Sequence, residues 1–420
     1  MMKKFVSLLL MLTLLIAGCG KNESADSNSE DAKTLTLWSV ETEDKEVVEK
    51  AVEEFNNTHA DLKINAEFFD DESLKTKMKV AIAGNKLPDL FTYWSGDTFQ
   101  TLVETGLVGD ITEQINEDEE LKSNVLPGGF ESFSFNEKTY GIPLGISAVS
   151  LWYNKEIFEE NGLTPPSTYT ELLEVVDQLN ENNITPITVA GKDRWPILHW
   201  YSYLAQRIGG TEPFEKAKNG EIDFTEESFV EAGEKLKELA VNKKGFVNGF
   251  LGLDYAAAEA LFLNGRAAMY LQGEWALQAF VKNKEFAEKV GFVSFPTVEG
   301  GKGNKDIYHG GFGIGMAISA NADQEAAFEA LKFLTSAEQR MGIYETGDIS
   351  PMKNVELDQS KMNPLVYEYS NYINNNVEGF FGYYDQNLDS KRADQFLNTS
   401  SAIVAKPDID VKKELSKIVK

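Results

Sequence analysis

Six short stretches of this 420-residue chain combine aromatic side chains with carboxylates, amides or adjacent glycines. An aromatic face packs against apolar C–H surfaces, while carboxylates and amides form hydrogen bonds with hydroxyl groups. Such sets are typical of a site for a polyhydroxylated ligand. They supply the candidate ligand-binding residues Glu41, Asp44, Trp94, Asp97, Trp195, His199, Glu274, Trp275, Gly310, Gly311, Tyr384 and Asp385.

Several candidates also have a purely structural alternative that the sequence leaves open. Asp44 can serve only the N-terminus of the helix that follows it, and Trp94 can be a core tryptophan. In "RWPILHWYSYLAQR" the helical spacing places Trp200 near Tyr203, so much of this stretch is expected in the core. His199 can then be a packed, hydrogen-bonded histidine. The glycines of "HGGFGIGM" can have a conformational role alone.

Composition excludes several functional classes. The 40 basic and 67 acidic residues give a net charge of −27, which opposes binding to phosphate backbones and anionic lipid surfaces. The single cysteine excludes an internal disulfide and a cysteine-based zinc site, and three histidines far apart in sequence argue against a metal centre. The Walker, EF-hand and G-x-S-x-G patterns are absent. We therefore expect no metal and no cofactor.

The N-terminus has the pattern of an export signal. Lys3 and Lys4 precede an apolar run from Phe5 to Ala17, which is too short for the roughly 20 residues of a membrane span. The next residues, "IAGC", resemble the bacterial lipobox, in which the cysteine carries lipid and becomes the mature N-terminus. We predict a signal peptide over 1–18 and a flexible tether over 19–33 after a lipidated Cys19. An ordinary cleaved signal peptide is the alternative.

From Thr34 onward, strand-like and helix-like segments alternate. "TLTLWSV", "LKINAEF" and "PDLFTYW" have the composition and alternation of strands, and the segments between them carry apolar residues at helical spacing. Thr42 is expected to cap the first helix and Ser73 the second, which ends at Gly84. This alternation predicts right-handed βαβ units on a mainly parallel sheet, and the length predicts two domains.

Several blocks occur together in a recognisable order, among them "GNKLPDLFTYW", "FLNGRAAMYLQGEWAL" and "GGFGIGMAISANADQEAAFEALKFLTS". With these blocks the chain resembles the extracellular solute-binding proteins of carbohydrate ABC importers, in the multiple-sugar and raffinose-binding group. The resemblance implies a two-lobed α/β fold like that of maltose-binding protein. Each lobe would be a mainly parallel sheet flanked by helices, and a three-segment hinge would join the lobes. Residues 34–147 with 296–347 would form one lobe, and 148–295 with 348–420 the other.

The same resemblance implies a receptor rather than an enzyme. It would be a monomer on the extracytoplasmic face of the membrane, binding an oligosaccharide between the lobes and delivering it to permease subunits. "LQGEWAL" matches an aromatic helix start of the family, which favours Trp275 as a stacking residue. "FFGYYDQN" resembles a late element whose aspartate, here Asp385, fixes a terminal hexose. The favoured ligand is an α-galactoside such as raffinose or melibiose.

Other functions remain open at this point. Isomalto-oligosaccharides or other glucosides are the main alternative ligands. An extracellular glycoside hydrolase would use Glu274 and Asp385 as its paired carboxylates. A receptor for peptides or a metal chelate is a third class.

Overall fold

The structure is a computed structural model that describes residues 32–40, 45–126, 128–340, 349–352, 359–360 and 362–419. Its strands are β1 (Lys33–Val40), β2 (Leu62–Phe69), β3 (Leu90–Trp94), β4 (Ser134–Phe135), β5 (Lys138–Thr139), β6 (Gly141–Pro143), β7 (Ser147–Asn154), β8 (Ile187–Thr188), β9 (Met269–Gln272), β10 (Val290–Val293), β11 (Ile307–Gly311), β12 (Ile314–Ile318) and β13 (Gly379–Phe381).

The helices are α1 (Lys45–Thr58), α2 (Asp71–Ala83), α3 (Asp97–Glu104), α4 (Thr112–Glu117), α5 (Glu119–Asn124), α6 (Lys155–Glu160), α7 (Tyr169–Glu181), α8 (Trp195–Gly209), α9 (Glu212–Asn219), α10 (Glu227–Lys237), α11 (Tyr255–Leu263), α12 (Leu277–Lys282), α13 (Lys284–Lys289), α14 (Gln324–Thr335), α15 (Ala337–Arg340), α16 (Pro364–Asn376), α17 (Ser390–Ala405) and α18 (Val411–Leu415). Among the described residues, none of these helices has both the length and the apolar character needed to cross a membrane.

The first sheet, sheet A, has the strand order β2-β1-β3-β12-β6. β1 runs parallel to β2 and β3, whereas β12 runs antiparallel to β3 and β6. Leu35 and Leu37 lie two residues apart on β1, so they share one face of the sheet and pack with Val48, Ala51 and Phe55 of α1. This confirms the strand–helix–strand pattern predicted for the start of the globular region.

The second sheet, sheet B, has the order β13-β11-β7-β9-β8, and β10 also pairs with β7. β7 runs antiparallel to β9, β10 and β11, while β11 is parallel to β13 and β8 to β9. The fully buried Trp152 of β7 donates from Nε1 to the carbonyl of Gln272 on β9 at 2.8 Å. A buried indole N–H needs such an acceptor, so this bond fixes the tryptophan in the core.

The prediction of mainly parallel sheets is wrong, because both sheets are mixed. The chain leaves sheet A after β6, enters sheet B as β7, and returns from β11 to β12. A strand that leads towards such a crossing and a strand that leads away from it run in opposite directions. The adjacent pairs β6–β12 and β7–β11 are therefore antiparallel.

Two α/β halves, each a sheet flanked by helices, match the predicted fold class. The chain passes between the sheets from β6 to β7 and from β11 to β12, and α15 and α16 lie on either side of a third passage. The exact lobe boundaries stay a prediction. The strand pairing favours a second boundary near residue 312 rather than 296, because β11 belongs to sheet B.

The start of α2 differs from its prediction. Asp70, not Ser73, is the N-cap residue, and its carboxylate accepts hydrogen bonds from the backbone N–H and the hydroxyl of Ser73. A carboxylate is a strong acceptor at this position because the helix dipole favours negative charge there. The predicted end at Gly84 is confirmed. Thr42 lies outside the described residues.

Candidate ligand-binding site

One edge of sheet A lies where the chain crosses between the two sheets. Because β1, β2 and β3 are parallel, their carboxyl ends meet at this edge. Trp94, the last residue of β3, pairs with Ile314, the first residue of β12. The following residue, Ser95, donates its N–H to the carbonyl of Gly313 at 3.1 Å. Trp94 therefore stands where the chain returns from sheet B to sheet A.

The start of α2 brings charged groups to the same edge, because α2 directly follows β2. Lys75 Nζ lies 2.5 Å from Asp71 Oδ2, 3.4 Å from Glu72 Oε1 and 4.9 Å from the centroid of a Trp94 ring. Burial raises the pKa of Asp71 to about 6, although Lys75 opposes this shift. We call Asp71, Glu72, Lys75 and Trp94 the charged wall.

Aromatic faces come from sheet B and its helices. The Trp195 ring, at the start of α8, lies 5.9 Å from the Tyr255 ring at 27° and 6.1 Å from the Trp275 ring at 68°. Trp275 Nε1 donates to Gln272 Oε1 at 3.1 Å, which fixes the orientation of the indole. All three rings are half-buried, so part of each remains exposed. We call Trp195, Tyr255 and Trp275 the aromatic wall.

His199 packs behind the aromatic wall, one helical turn after Trp195. Its ring centroid lies 5.1 Å from that of Trp195 and 4.9 Å from that of His309. His199 is only 5 % exposed, and its Nε2 atom has no hydrogen-bond partner among the described residues. Burial lowers the pKa of His199 to about 3 and the pKa of His309 well below its usual value. Both imidazoles are therefore neutral at physiological pH.

Two carboxylates on the sheet B side interact with the charged wall. Burial raises the pKa of Asp385, and the charge of Lys75 acts against this shift. Burial also raises the pKa of Asp193, and the charge of Glu72 adds to the shift in both cases. For Lys75, burial would lower the pKa, but the surrounding carboxylates outweigh it and raise the pKa. Lys75 is thus held in its charged form by acids from both sides.

Among the residues predicted from sequence, the structure brings Trp195, His199 and Trp275 into contact. Trp94 and Asp385 belong to another part of the site, where each interacts with Lys75. As ligand contacts they stay predictions. Asp97 lies at the start of α3 and forms an ion pair with Lys218 at 2.8 Å, so its carboxylate is engaged with the sheet B side rather than exposed to a ligand.

Four predicted contacts have structural roles in the core. Tyr384 is 2 % exposed, and its ring stacks on Phe214 at 3.8 Å, which leaves no face for a ligand. Glu274 is buried, and its Oε2 accepts the backbone N–H of Ala148 at 2.7 Å.

The glycine pair also has a conformational explanation. Both glycines are buried on β11, and both have positive φ angles, 145° for Gly310 and 112° for Gly311. A Cβ on Gly310 would lie 2.0 Å from the carbonyl oxygen of Ser147 on β7, so only glycine fits there. Glu41, Asp44 and Cys19 lie outside the described residues.

Sequence reasoning missed Lys75, Asp71 and Glu72 as site residues. The sequence feature that could have identified them is the position of α2 immediately after β2. The first turns of such a helix lie at the carboxyl edge of the sheet, and ligands bind at this edge in α/β folds. Tyr255 was missed for another reason. It is far in sequence from Trp195, and only the packing of α11 against α8 brings the rings together.

The residues of the two walls can form stacking contacts and hydrogen bonds with a ligand. Within the described part of the chain, no group of three or more His, Cys, Asp or Glu residues could hold a metal ion. What the site offers is exposed aromatic area on one wall and hydrogen-bonding charges on the other.

Comparisons with known proteins agree with this picture. Residues 38–341 match the sequence family described as bacterial extracellular solute-binding protein. The multiple sugar-binding protein of Streptococcus mutans serotype c is 24 % identical over 364 residues, covering 84 % of this chain and 83 % of that protein. The melibiose/raffinose/stachyose-binding protein MelE of Bacillus subtilis is 24 % identical over 397 residues, covering 90 % of this chain and 86 % of MelE.

A solved structure from work on xylan utilization by Caldanaerobius polysaccharolyticus is similar to this protein. The similarity covers 92 % of this chain and 98 % of the chain in that structure. It has a TM-score of 0.86 and 32 % identity. The expected two-lobed α/β receptor fold is therefore confirmed, as is the expectation of a protein that binds rather than transforms its ligand. The chain belongs to the bacterial extracellular solute-binding proteins.

Proposed function

We propose that this protein is a sugar-binding receptor of an ABC importer and captures an oligosaccharide between the charged wall and the aromatic wall. The observation that carries the proposal is the half-buried Trp195–Tyr255–Trp275 cluster, together with a charged wall whose Glu72 acts on Asp193 and Asp385 of the sheet B side. Aromatic faces cover the C–H surfaces of sugar rings, while charged groups bind hydroxyls. Relatives named as sugar-binding proteins support the same ligand class.

Two ligand classes have specific support. An α-galactoside such as raffinose or melibiose is the ligand favoured by the sequence, and the Bacillus subtilis relative is named for melibiose, raffinose and stachyose. A xylo-oligosaccharide is the second candidate, because the similar structure with 32 % identity comes from work on xylan utilization. Isomalto-oligosaccharides and other glucosides stay as alternatives.

Contacts between the two halves suggest how binding is signalled. Thr98 donates its N–H to the carbonyl of Gln386 at 3.2 Å, and Asp97 pairs with Lys218 beside it. A ligand that touches both walls binds the closed arrangement better than an open one, so it shifts the population towards closure. The permease would then recognise the closed form.

The receptor would be held at the membrane by lipid on Cys19, with residues up to 33 as a tether. Two or more acyl chains are needed for stable anchoring, whereas one gives only marginal binding. Mass spectrometry of the mature protein tests this part. The expected result is an N-terminus at the lipidated Cys19, and an unmodified N-terminus or another cleavage site would refute it.

Titration calorimetry with purified protein tests the ligand class. The panel contains raffinose, melibiose, isomaltotriose and xylotriose, with a tripeptide as the control for a peptide receptor. We expect saturable binding of at least one oligosaccharide without loss of sugar over time. Binding of none of the sugars would reject the proposal, and release of monosaccharides with turnover would instead support a hydrolase.

A further inference from the structure

The turn that carries Trp275 is packed closely on its own backbone. Gln272, Gly273 and Glu274 form this turn between β9 and the aromatic wall. A Cβ on Gly273 would lie 2.2 to 2.5 Å from three atoms of the Trp275 ring, so the indole rests directly on the glycine backbone. The indole N–H donates to Gln272 Oε1 at 3.1 Å. The ring therefore has one defined position relative to the turn.

The same turn is bonded to β7 at the point where the chain enters sheet B. Glu274 is 5 % exposed, and its Oε2 accepts the N–H of Ala148, the second residue of β7, at 2.7 Å. The carbonyl of Ala148 accepts a hydrogen bond from the hydroxyl of Tyr369 on α16. A hydrogen bond to a charged acceptor is stronger than one between neutral groups. Glu274 thus connects the Trp275 turn firmly to the start of β7.

Ala148 lies beside the place where the three passages between the sheets meet. We call Ile146, Ser147, Gly313 and Ile349 the crossing. The N–H of Ile146 donates to the carbonyl of Ile349 at 2.9 Å. A Cβ on Gly313 would lie 3.4 Å from the hydroxyl oxygen of Ser147, so these two passages are also in contact. A rotation of one half against the other is absorbed in such connecting segments, where φ and ψ change.

We propose that Glu274 is a positioning residue that holds the stacking face of Trp275 in a fixed relation to the crossing. A ligand stacked on the ring then acts on closure through a rigid connection. Glu274 itself does not touch the ligand in this role, which differs from the ligand contact predicted from the sequence. The inference rests on the proposed oligosaccharide receptor and adds how binding at the aromatic wall reaches the crossing.

The alternative is that Glu274 only provides an acceptor for a buried N–H. Loss of that acceptor destabilises the folded chain, because a buried donor is left without a partner. This role predicts a lower free energy of unfolding, with unchanged ligand affinity and an unchanged environment of the Trp275 indole. The two explanations therefore differ in measurements other than stability.

The first measurement is the nuclear magnetic resonance signal of the Trp275 indole N–H, which needs no ligand and is identified by its absence from Trp275→Ala. Glu274→Met removes the carboxylate but keeps the length of the side chain, so the signal should shift or broaden. Glu274→Gln keeps an oxygen acceptor and should restore the wild-type signal. An unchanged signal in folded Glu274→Met would overturn the inference. If Glu274→Met does not fold, Glu274→Asp, whose carboxylate is one methylene short, takes its place.

The second measurement is affinity for the best oligosaccharide of the calorimetric panel. Glu274→Met should bind about tenfold more weakly than wild type, and Glu274→Gln within about threefold. In a Trp275→Ala background, Glu274→Met should have little further effect, because the effect of Glu274 is exerted through the indole. Fully additive losses would overturn the inference.

The third measurement is closure, followed by small-angle scattering at saturating ligand. Wild type should become more compact, whereas Glu274→Met should close incompletely. Full closure of saturated Glu274→Met would overturn the link between the aromatic wall and the crossing.

Glu171→Met is the matched control in all three measurements. The Glu171 carboxylate also accepts a backbone N–H at 2.7 Å, from Ser167 at the exposed start of α7. Its loss should lower the free energy of unfolding but leave affinity within twofold, with the indole signal and closure unchanged. A loss of affinity equal to that of Glu274→Met would show that destabilisation alone explains the effect. If wild type binds no oligosaccharide, the proposed function fails instead, and the indole signal still decides whether Glu274 positions Trp275.

Discussion

The two walls of the site differ in how they are built. The aromatic wall rests on a packed core: His199 and His309 lie behind it, and its orientation is fixed by ring contacts and one indole bond. The charged wall depends on one helix start, and its acids and lysine are exposed to solvent by about a third or more. The aromatic wall is therefore the more closely packed of the two, and the charged wall is the more solvated.

The first way to test this difference is acid, because burial behind the aromatic wall lowers the pKa of His199. Between pH 6.5 and 4.5 the unfolded chain protonates His199, whose pKa in the folded protein is about 3. The free energy of unfolding therefore falls as the pH falls, and His199 accounts for roughly 2–3 kcal/mol of that loss. Urea unfolding at pH 6.5 and at pH 4.5 measures this loss. Between these two pH values, His199→Gln should lose less free energy of unfolding than wild type. His59→Gln, which alters a partly exposed histidine directly after the end of α1, serves as the control. An equal loss in all three proteins would contradict the assignment.

The next largest effect is expected from the aromatic wall itself. Trp195→Ala removes a stacking face and the support of Tyr255 and Trp275, so affinity for the best oligosaccharide should fall about 100-fold. Trp38→Ala, a half-buried tryptophan on β1 that packs against Lys77, is the matched control. If the two variants lose affinity equally, the aromatic wall is not the principal ligand surface.

The charged wall should discriminate by ligand charge. Asp71, Glu72 and Asp385 all act on Lys75, and Asp193 adds a further carboxylate near Glu72, so a uronic acid in place of a neutral sugar meets net repulsion. We expect a uronate-bearing oligosaccharide to bind about tenfold more weakly than its neutral parent at low salt, with the difference shrinking as salt screens it. Tighter binding of the acidic ligand would show that Lys75 dominates the wall.

The smallest effect is expected from the ion pair that joins the two halves. Asp97 and Lys218 are both about three-quarters buried, at 22 and 24 % exposure, and their pairing favours closure. Lys218→Met should lower affinity two- to threefold, and the unliganded protein should be more open by small-angle scattering. Lys216→Met, which breaks an exposed pair within α9, should change neither. An unchanged scattering profile for Lys218→Met would show that this ion pair does not favour closure.

Much of this protein could be predicted from its sequence, and the α1 stripe shows why. Val48, Ala51 and Phe55 follow the helical period, and that local pattern places them in the core of sheet A. Local sequence sets of aromatic and polar residues also selected Trp94 and Trp195, and the family resemblance selected Trp275. These positions depend on residues close in the chain, which the sequence displays directly.

The remaining features depended on residues far apart in sequence. Tyr384 looked like part of a sugar-binding set, but Phe214, 170 positions earlier, covers its ring. The direction of β7 and β11 follows from where the chain crosses between sheets, which no local pattern encodes. Lys75 became a candidate only when the fold set it against the ring of Trp94. The sequence thus determined which segments are strands, helices and amphipathic faces, because these follow from local periodicity. The tertiary structure decided which aromatic rings remain exposed and which charges meet, because both depend on packing between distant elements.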